Sequence, residues 1–131
     1  MMMRNEADKA LVLFGHGARD PEWARPMQRV QAGVQARVGE GVRVELAFLE
    51  FMQPNLDAVL SELVGQGVRQ IVILPMFLAQ GGHLKRDLPA LVEAARLRHS
   101  AASITLAGAV GEADAIVEAM AQHALSLIPT A

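Results

Sequence analysis

The sequence predicts an α/β fold, a three-layer sandwich with a four-stranded parallel sheet. Three observations carry this. Four short apolar runs alternate with four stretches of helical spacing. No hairpin dipeptide joins one apolar run to the next. The first and third runs are apolar throughout, as strands covered on both faces are. Parallel strands joined by helical crossovers satisfy all three, and the 131 residues are read as one domain, 1–131.

The first strand ends in LVLFGHGARDP, residues 11–21. Asp20 suits a helix N-cap, and Pro21 suits the first helical position, where a missing N–H costs nothing. The helix that follows shows Trp23, Met27, Val30, Val34 and Val38 on one face, with Arg25, Arg29 and Arg37 left for solvent, and ends at Gly39 and Gly41. Val42–Leu49 alternates apolar and polar residues and reads as a strand nearer the sheet edge, closed by Glu50. Pro54 opens the next helix, with Leu56, Val59, Leu60, Leu63 and Val64 inward and Gly65 and Gly67 at its end.

Ile71–Leu74 is the third strand, and the loop Pro75–Gly82 follows it. A helix is expected from near Asp87, with Pro89 in its first turn and Leu88, Leu91 and Val92 packing inward. Ser103–Ala107 makes the fourth strand. The last helix, from about Ala113 to Leu127, is expected to bury Ile116, Val117, Met120 and Ala124.

Composition narrows the function. With 52% apolar and 20% charged residues the chain describes a globule with a core. The formal charge of −2 gives no basic surface for nucleic acid. The absence of cysteine excludes disulfides and thiolate chemistry and suits the cytoplasm. The stretch MMMRNEADKA lacks the apolar core of a signal peptide, and the run Ile71–Ala79 is too short to span a bilayer, so no membrane partner is expected.

In a parallel sheet the turns after all strands lie on one edge, where open α/β sheets hold ligands. His16 follows the first strand, Glu50 the second, and Gln80 and His83 the third. Taken alone, His16 fits a strand-terminal turn as well as a ligand. Together, two imidazoles and a carboxylate suit a borderline divalent metal such as Co²⁺, Fe²⁺, Ni²⁺ or Zn²⁺. The Pro75–Gly82 loop with Arg19, Lys85 and Arg86 offers an apolar surface ringed by cations, fit for a large planar ligand bearing carboxylates. A phosphate-cradling loop is discounted because Asp20 stands where GxGxxG needs its third glycine. A histidine-nucleophile phosphatase is discounted because Gly15 stands where a cation should precede His16. His99 and His123 read as helix-end and surface residues.

Three segments, LVLFGHGARDP, ELAFLEFMQPNL and ILPMFLAQGGHLKRDLP, resemble in order and spacing the small CbiX-type chelatases of the class II family, which insert a metal into sirohydrochlorin. The resemblance runs through most of the chain up to Ala90. The region Val110–Glu112 lacks a proline or histidine that family members often carry there. The resemblance implies a chelatase-like fold and a metal chelatase (a lyase) acting on sirohydrochlorin or a related tetrapyrrole, in cobalamin or siroheme biosynthesis. It implies that His16 and His83 hold the metal, that His16 accepts a pyrrole proton, and that Leu78, Ala79, Gln80, Gly81 and Gly82 touch the tetrapyrrole. Glu50 matches a carboxylate present in many members. No organic cofactor is implied; the divalent metal (Co²⁺, Ni²⁺ or Fe²⁺) is a substrate. A non-catalytic tetrapyrrole or metal carrier would use the same rim. A homodimer is expected, because one rim is too open to enclose a tetrapyrrole and Phe51, Met52, Met76, Phe77 and Leu78 leave an apolar patch beside it.

Overall fold

A computed structural model describes residues 7–130. The leader reading of MMMRNEADKA falls mainly on residues outside that range. Among the described residues, no helix is long and apolar enough to cross a membrane.

Strands β1 (Lys9–Gly15), β2 (Val42–Phe48), β3 (Gln70–Pro75) and β4 (Ser103–Leu106) form one parallel sheet in the order β2-β1-β3-β4. β1 and β3 are central, as their unbroken apolar runs require, and the alternating β2 is an edge strand. All four strands run the same way, so their carboxyl ends share one edge.

Helices α2 (Leu56–Gly65) and α3 (Gly82–Arg98) cover one face of the sheet. There Val12, Phe14, Ile71, Ile73 and Ile104 meet Leu60, Leu63, Leu88 and Val92 in the main core. Leu60 is fully buried, so Leu60→Ala is expected to cost ~2–5 kcal/mol in a urea unfolding titration, through lost transfer energy and the cavity left behind. On the other face α1 (Arg25–Val38) and the turn before it cover Leu13, Val44 and Phe48 with Met27 and Ala24.

Local rules account for most helix starts. The Asp20 carboxylate accepts the N–H of Glu22 at 3.0 Å, but the turn it caps, Pro21–Ala24, is a 3₁₀ helix. Regular α-helix begins only at Arg25, one residue before Pro26, whose missing N–H is tolerated in a first turn. Asn55, not Pro54, caps α2, its side-chain oxygen accepting the N–H of Ala58 at 2.8 Å.

Leu91, expected to pack inward, is 39% exposed, and two larger expectations also fail. α3 starts at Gly82 instead of near Asp87, so Pro89 lies inside the helix and leaves the Lys85 carbonyl without its intrahelical donor. The N-cap is Gly81, whose carbonyl accepts the Lys85 N–H at 3.0 Å. His83, Lys85 and Arg86 therefore stand on the opening turns of a helix and not in the preceding loop.

The second failure is the last helix, α4 (Asp114–Ser126), which buries nothing. Ile116 is half-buried, while Val117, Met120 and Ala124 are exposed. The 3₁₀ turn Val110–Glu112 that leads into α4 is tied to the segment after β3, and the face of the sheet beside α1 is left partly bare. Val72, which alternates with the buried Ile71 and Ile73, is 40% exposed on that face.

Candidate functional site

The loops after β1, β2 and β3 meet on the carboxyl edge. Gly15 and Gly17 are small for identifiable reasons. A Cβ on Gly15 would press on the Met27 thioether and Trp23, and one on Gly17, where φ is +95°, would overlap the carbonyl oxygen of Glu50. The loop after β2 thus packs directly on the backbone flanking His16.

This contact brings His16 and Glu50 together across 34 residues of chain, with Nε2 2.9 Å from Oε2. The side chains are 48% and 50% exposed, so the pair is open to a ligand from solvent. With Nε2–H donating to the carboxylate, Nδ1 holds the ring's lone pair. The separation also suits joint ligation of an ion. Two ligands of a divalent ion at ~2.1 Å, set at a right angle, stand ~3.0 Å apart. To share an ion, the imidazole would turn so that its ring lone pair meets the metal instead of the carboxylate.

His83 occupies the same edge, on the first turn of α3, and is exposed. The topology places it on the expected rim but not in a three-ligand cluster with the other two. Among the described residues no group of three or more His, Asp or Glu side chains is close enough to hold a metal.

The segment after β3 is fastened at three points. The Met76 N–H donates to the Phe14 carbonyl at 2.8 Å, the Phe77 ring meets Phe14 edge-on at 6.2 Å, and the Gly111 N–H donates to the Phe77 carbonyl at 2.9 Å. The apolar Phe77 is therefore partly an anchor, while Leu78 is 72% exposed. Ala79, Gly81 and Gly82 are exposed and Gln80 is half-buried. Gly111 escaped the reading of the sequence. A Cβ there would overlap the Leu78 backbone, so it lets the turn after β4 pack directly under the loop. The local sign was a glycine alone in an apolar turn, which specifies no neighbour.

Of the cations, Arg19 lies over the Phe51 ring, 5.1 Å from its centroid. Lys85 and Arg86 are exposed on α3. A separate recess of about 460 Å³ opens between α2 and α3, lined in part by Phe14, Phe48, Leu60, Leu91 and Arg98. Its charged groups, Arg98 and Asp57, are paired at 2.6 Å, and no histidine lines it.

A four-stranded parallel α/β sandwich is the architecture of the chelatase-type proteins. The chain belongs to the CbiX family, whose pattern matches residues 10–127. The sirohydrochlorin cobaltochelatase of Methanococcus aeolicus is 33% identical over 84 residues, 64% of this chain and 58% of that protein. The sirohydrochlorin cobaltochelatase of Saccharolobus islandicus is 38% identical over 82 residues, 63% of this chain and 62% of that protein. The matches thus span about three-fifths of these curated relatives. Among solved structures, a putative cobalamin biosynthesis CbiX protein from Marinobacter aquaeolei superposes with a TM-score of 0.79 at 27% identity, covering 90% of this chain and 95% of that one. The sirohydrochlorin chelatase SirB from Bacillus subtilis, solved in complex with cobalt, gives a TM-score of 0.75 at 25% identity, covering 92% of this chain and 51% of that one.

Proposed function

We propose that this chain, as a single-domain cytoplasmic enzyme, inserts a divalent metal ion into sirohydrochlorin or a closely related tetrapyrrole. The observation that carries this reading is the open His16–Glu50 pair on the carboxyl rim of a CbiX-family sheet. The activity named for the cobaltochelatase relatives, and the cobalt in the SirB complex, support Co²⁺ as the metal, with Ni²⁺ and Fe²⁺ as the other candidates.

The reaction exchanges one divalent ion for two pyrrole protons. His16 and Glu50 would hold the ion as it sheds water, and His83 would join once the macrocycle is in place. Neutral imidazoles leave its charge unsatisfied, so it passes readily to the macrocycle. As the ion leaves, the His16 ring is free to accept one pyrrole proton, and water at the open rim takes the second. No redox step is involved. The Leu78–Gly82 segment would support the flat face of the macrocycle.

The direct test is absorbance on mixing the metal-free protein with sirohydrochlorin and Co²⁺, Ni²⁺ or Fe²⁺ in turn. Catalytic turnover with one of these ions supports the proposal. Tetrapyrrole bound without turnover would make the protein a carrier.

Arg19, Lys85 and Arg86 are assigned to the peripheral carboxylates of the substrate. Such contacts are made equally in the ground and transition states, so a double variant, Lys85→Gln with Arg86→Gln and Arg19 kept on the Phe51 ring, is expected to raise KM by ~10-fold, with kcat nearly unchanged in steady-state assays. An unchanged KM would remove Lys85 and Arg86 from the site.

The working form is proposed to be a homodimer. Support comes from the exposed Phe51 and Leu78 beside the rim, and from α4, on which Val117, Met120 and Leu125 remain exposed. Exposed large apolar side chains of this kind are what a subunit interface would cover. A second copy facing the first would turn an open rim into a cleft.

A further inference from the structure

We propose that Phe51 is a positioning residue, whose left-handed backbone and cation-bound ring aim the Glu50 carboxylate at His16. The inference rests on the assignment of that pair to the metal.

The parallel ladder between β1 and β2 continues past both strands. The Leu49 N–H donates to the Gly15 carbonyl at 2.9 Å, and the Glu50 N–H to the His16 carbonyl at 3.1 Å. Continuing the register in which Gly15 faces Phe48 places Gly17 opposite Glu50, where the absent Cβ leaves room for the Glu50 carbonyl. The backbone on the amino side of Glu50 is therefore fixed. Its carboxylate is not, since the side chain is half exposed and a solvent-exposed pair adds little restraint of its own.

The restraint on the other side is Phe51. Its φ of 70° lies in the left-handed region, which bulky residues rarely adopt. The ring is 57% exposed, so burial in the core does not offset that strain. A glycine would take the same φ freely, so what phenylalanine adds at this position is its ring. That ring lies 5.1 Å from the Arg19 guanidinium, within cation–π range. Arg19 belongs to the loop after β1, two residues beyond Gly17. The two loops are consequently joined twice, by backbone bonding at His16 and by the ring–cation contact at Phe51.

Beyond Phe51 the loop is tied down again, because the Pro54 carbonyl accepts the Phe48 N–H at 2.9 Å. With both ends held, relaxation of φ at Phe51 must be absorbed by the Glu50–Phe51 peptide, which carries the Glu50 side chain with it. Loss of the ring–cation contact would therefore be read out at the carboxylate.

The experiment compares Phe51→Leu, Phe51→Gly and Phe51→Tyr by crystallography, by Co²⁺ titration without tetrapyrrole, and by steady-state kinetics. Leucine keeps apolar bulk without a ring, glycine permits the same φ but has no ring to hold it there, and tyrosine keeps the ring. Expected are loss of the His16–Glu50 hydrogen bond and ~10-fold weaker Co²⁺ binding in the leucine and glycine variants, the scale typical of residues that orient a ligand. Tyrosine should restore both, and thermal unfolding should follow neither. A His16–Glu50 contact retained in both ringless variants overturns the proposal. So does a raised KM for the tetrapyrrole with unchanged Co²⁺ affinity, which would mean that the ring touches the substrate. His16→Ala serves as the control for the metal assignment. If it binds Co²⁺ like the wild type, that assignment has failed, and the crystallographic contact alone decides the role of Phe51.

Discussion

His16→Ala is expected to lose metal insertion by ~10²–10⁴-fold, the range for removing a positioned acid–base group, while the protein stays folded. The side chain is 48% exposed and its hydrogen bond is to Glu50, so the core does not notice its loss. Insertion rates from absorbance, set beside a circular dichroism melt, test both halves. Wild-type turnover would remove His16 from the mechanism. Glu50→Gln should be milder, ~10-fold, because the amide oxygen still accepts from Nε2–H and only the charge is lost. His83→Ala should also lose turnover, but with less effect on Co²⁺ binding in the absence of tetrapyrrole. His83 is not clustered with the other two ligands, and its part would come once the macrocycle is in place.

Charge on the exposed apolar surface is expected to undo dimer and activity together. Leu78→Glu is the better choice at the rim, since Leu78 is 72% exposed whereas Phe77 also anchors the loop against Phe14. Val117→Glu tests α4 in the same way. Burying an unpaired carboxylate in an interface costs several kcal/mol, so self-association should weaken by at least ~100-fold, which corresponds to ~2.7 kcal/mol. Sedimentation at micromolar concentration should move from about twice the chain mass to the monomer, and chelation should fall with it. A monomeric Leu78→Glu variant with full activity would show that one rim suffices.

The sequence by itself determined the alternation of elements, the parallel sheet and the edge on which the site lies. These follow from local signals: an unbroken apolar run for β1, alternation in β2, an Asp20 cap, glycines at helix ends. It also brought His16, Glu50 and His83 to one rim, because parallel topology alone places every β-to-α turn there. Local signals misled at Pro89, since proline is rarely found so deep in a helix, and the true start depended on a glycine cap eight residues earlier. The amphipathic stripe of α4 was legible, but periodicity states which side of a helix is apolar and not what covers it. Only the tertiary structure showed that the sheet of the same chain does not. It alone, too, separated the three rim residues into a bonded pair and a third standing apart. That distinction comes from ångström-scale packing, with Gly17 against the Glu50 carbonyl and a left-handed Phe51 beside Arg19. Such contacts join residues distant in the chain, and no pattern along it encodes their separation.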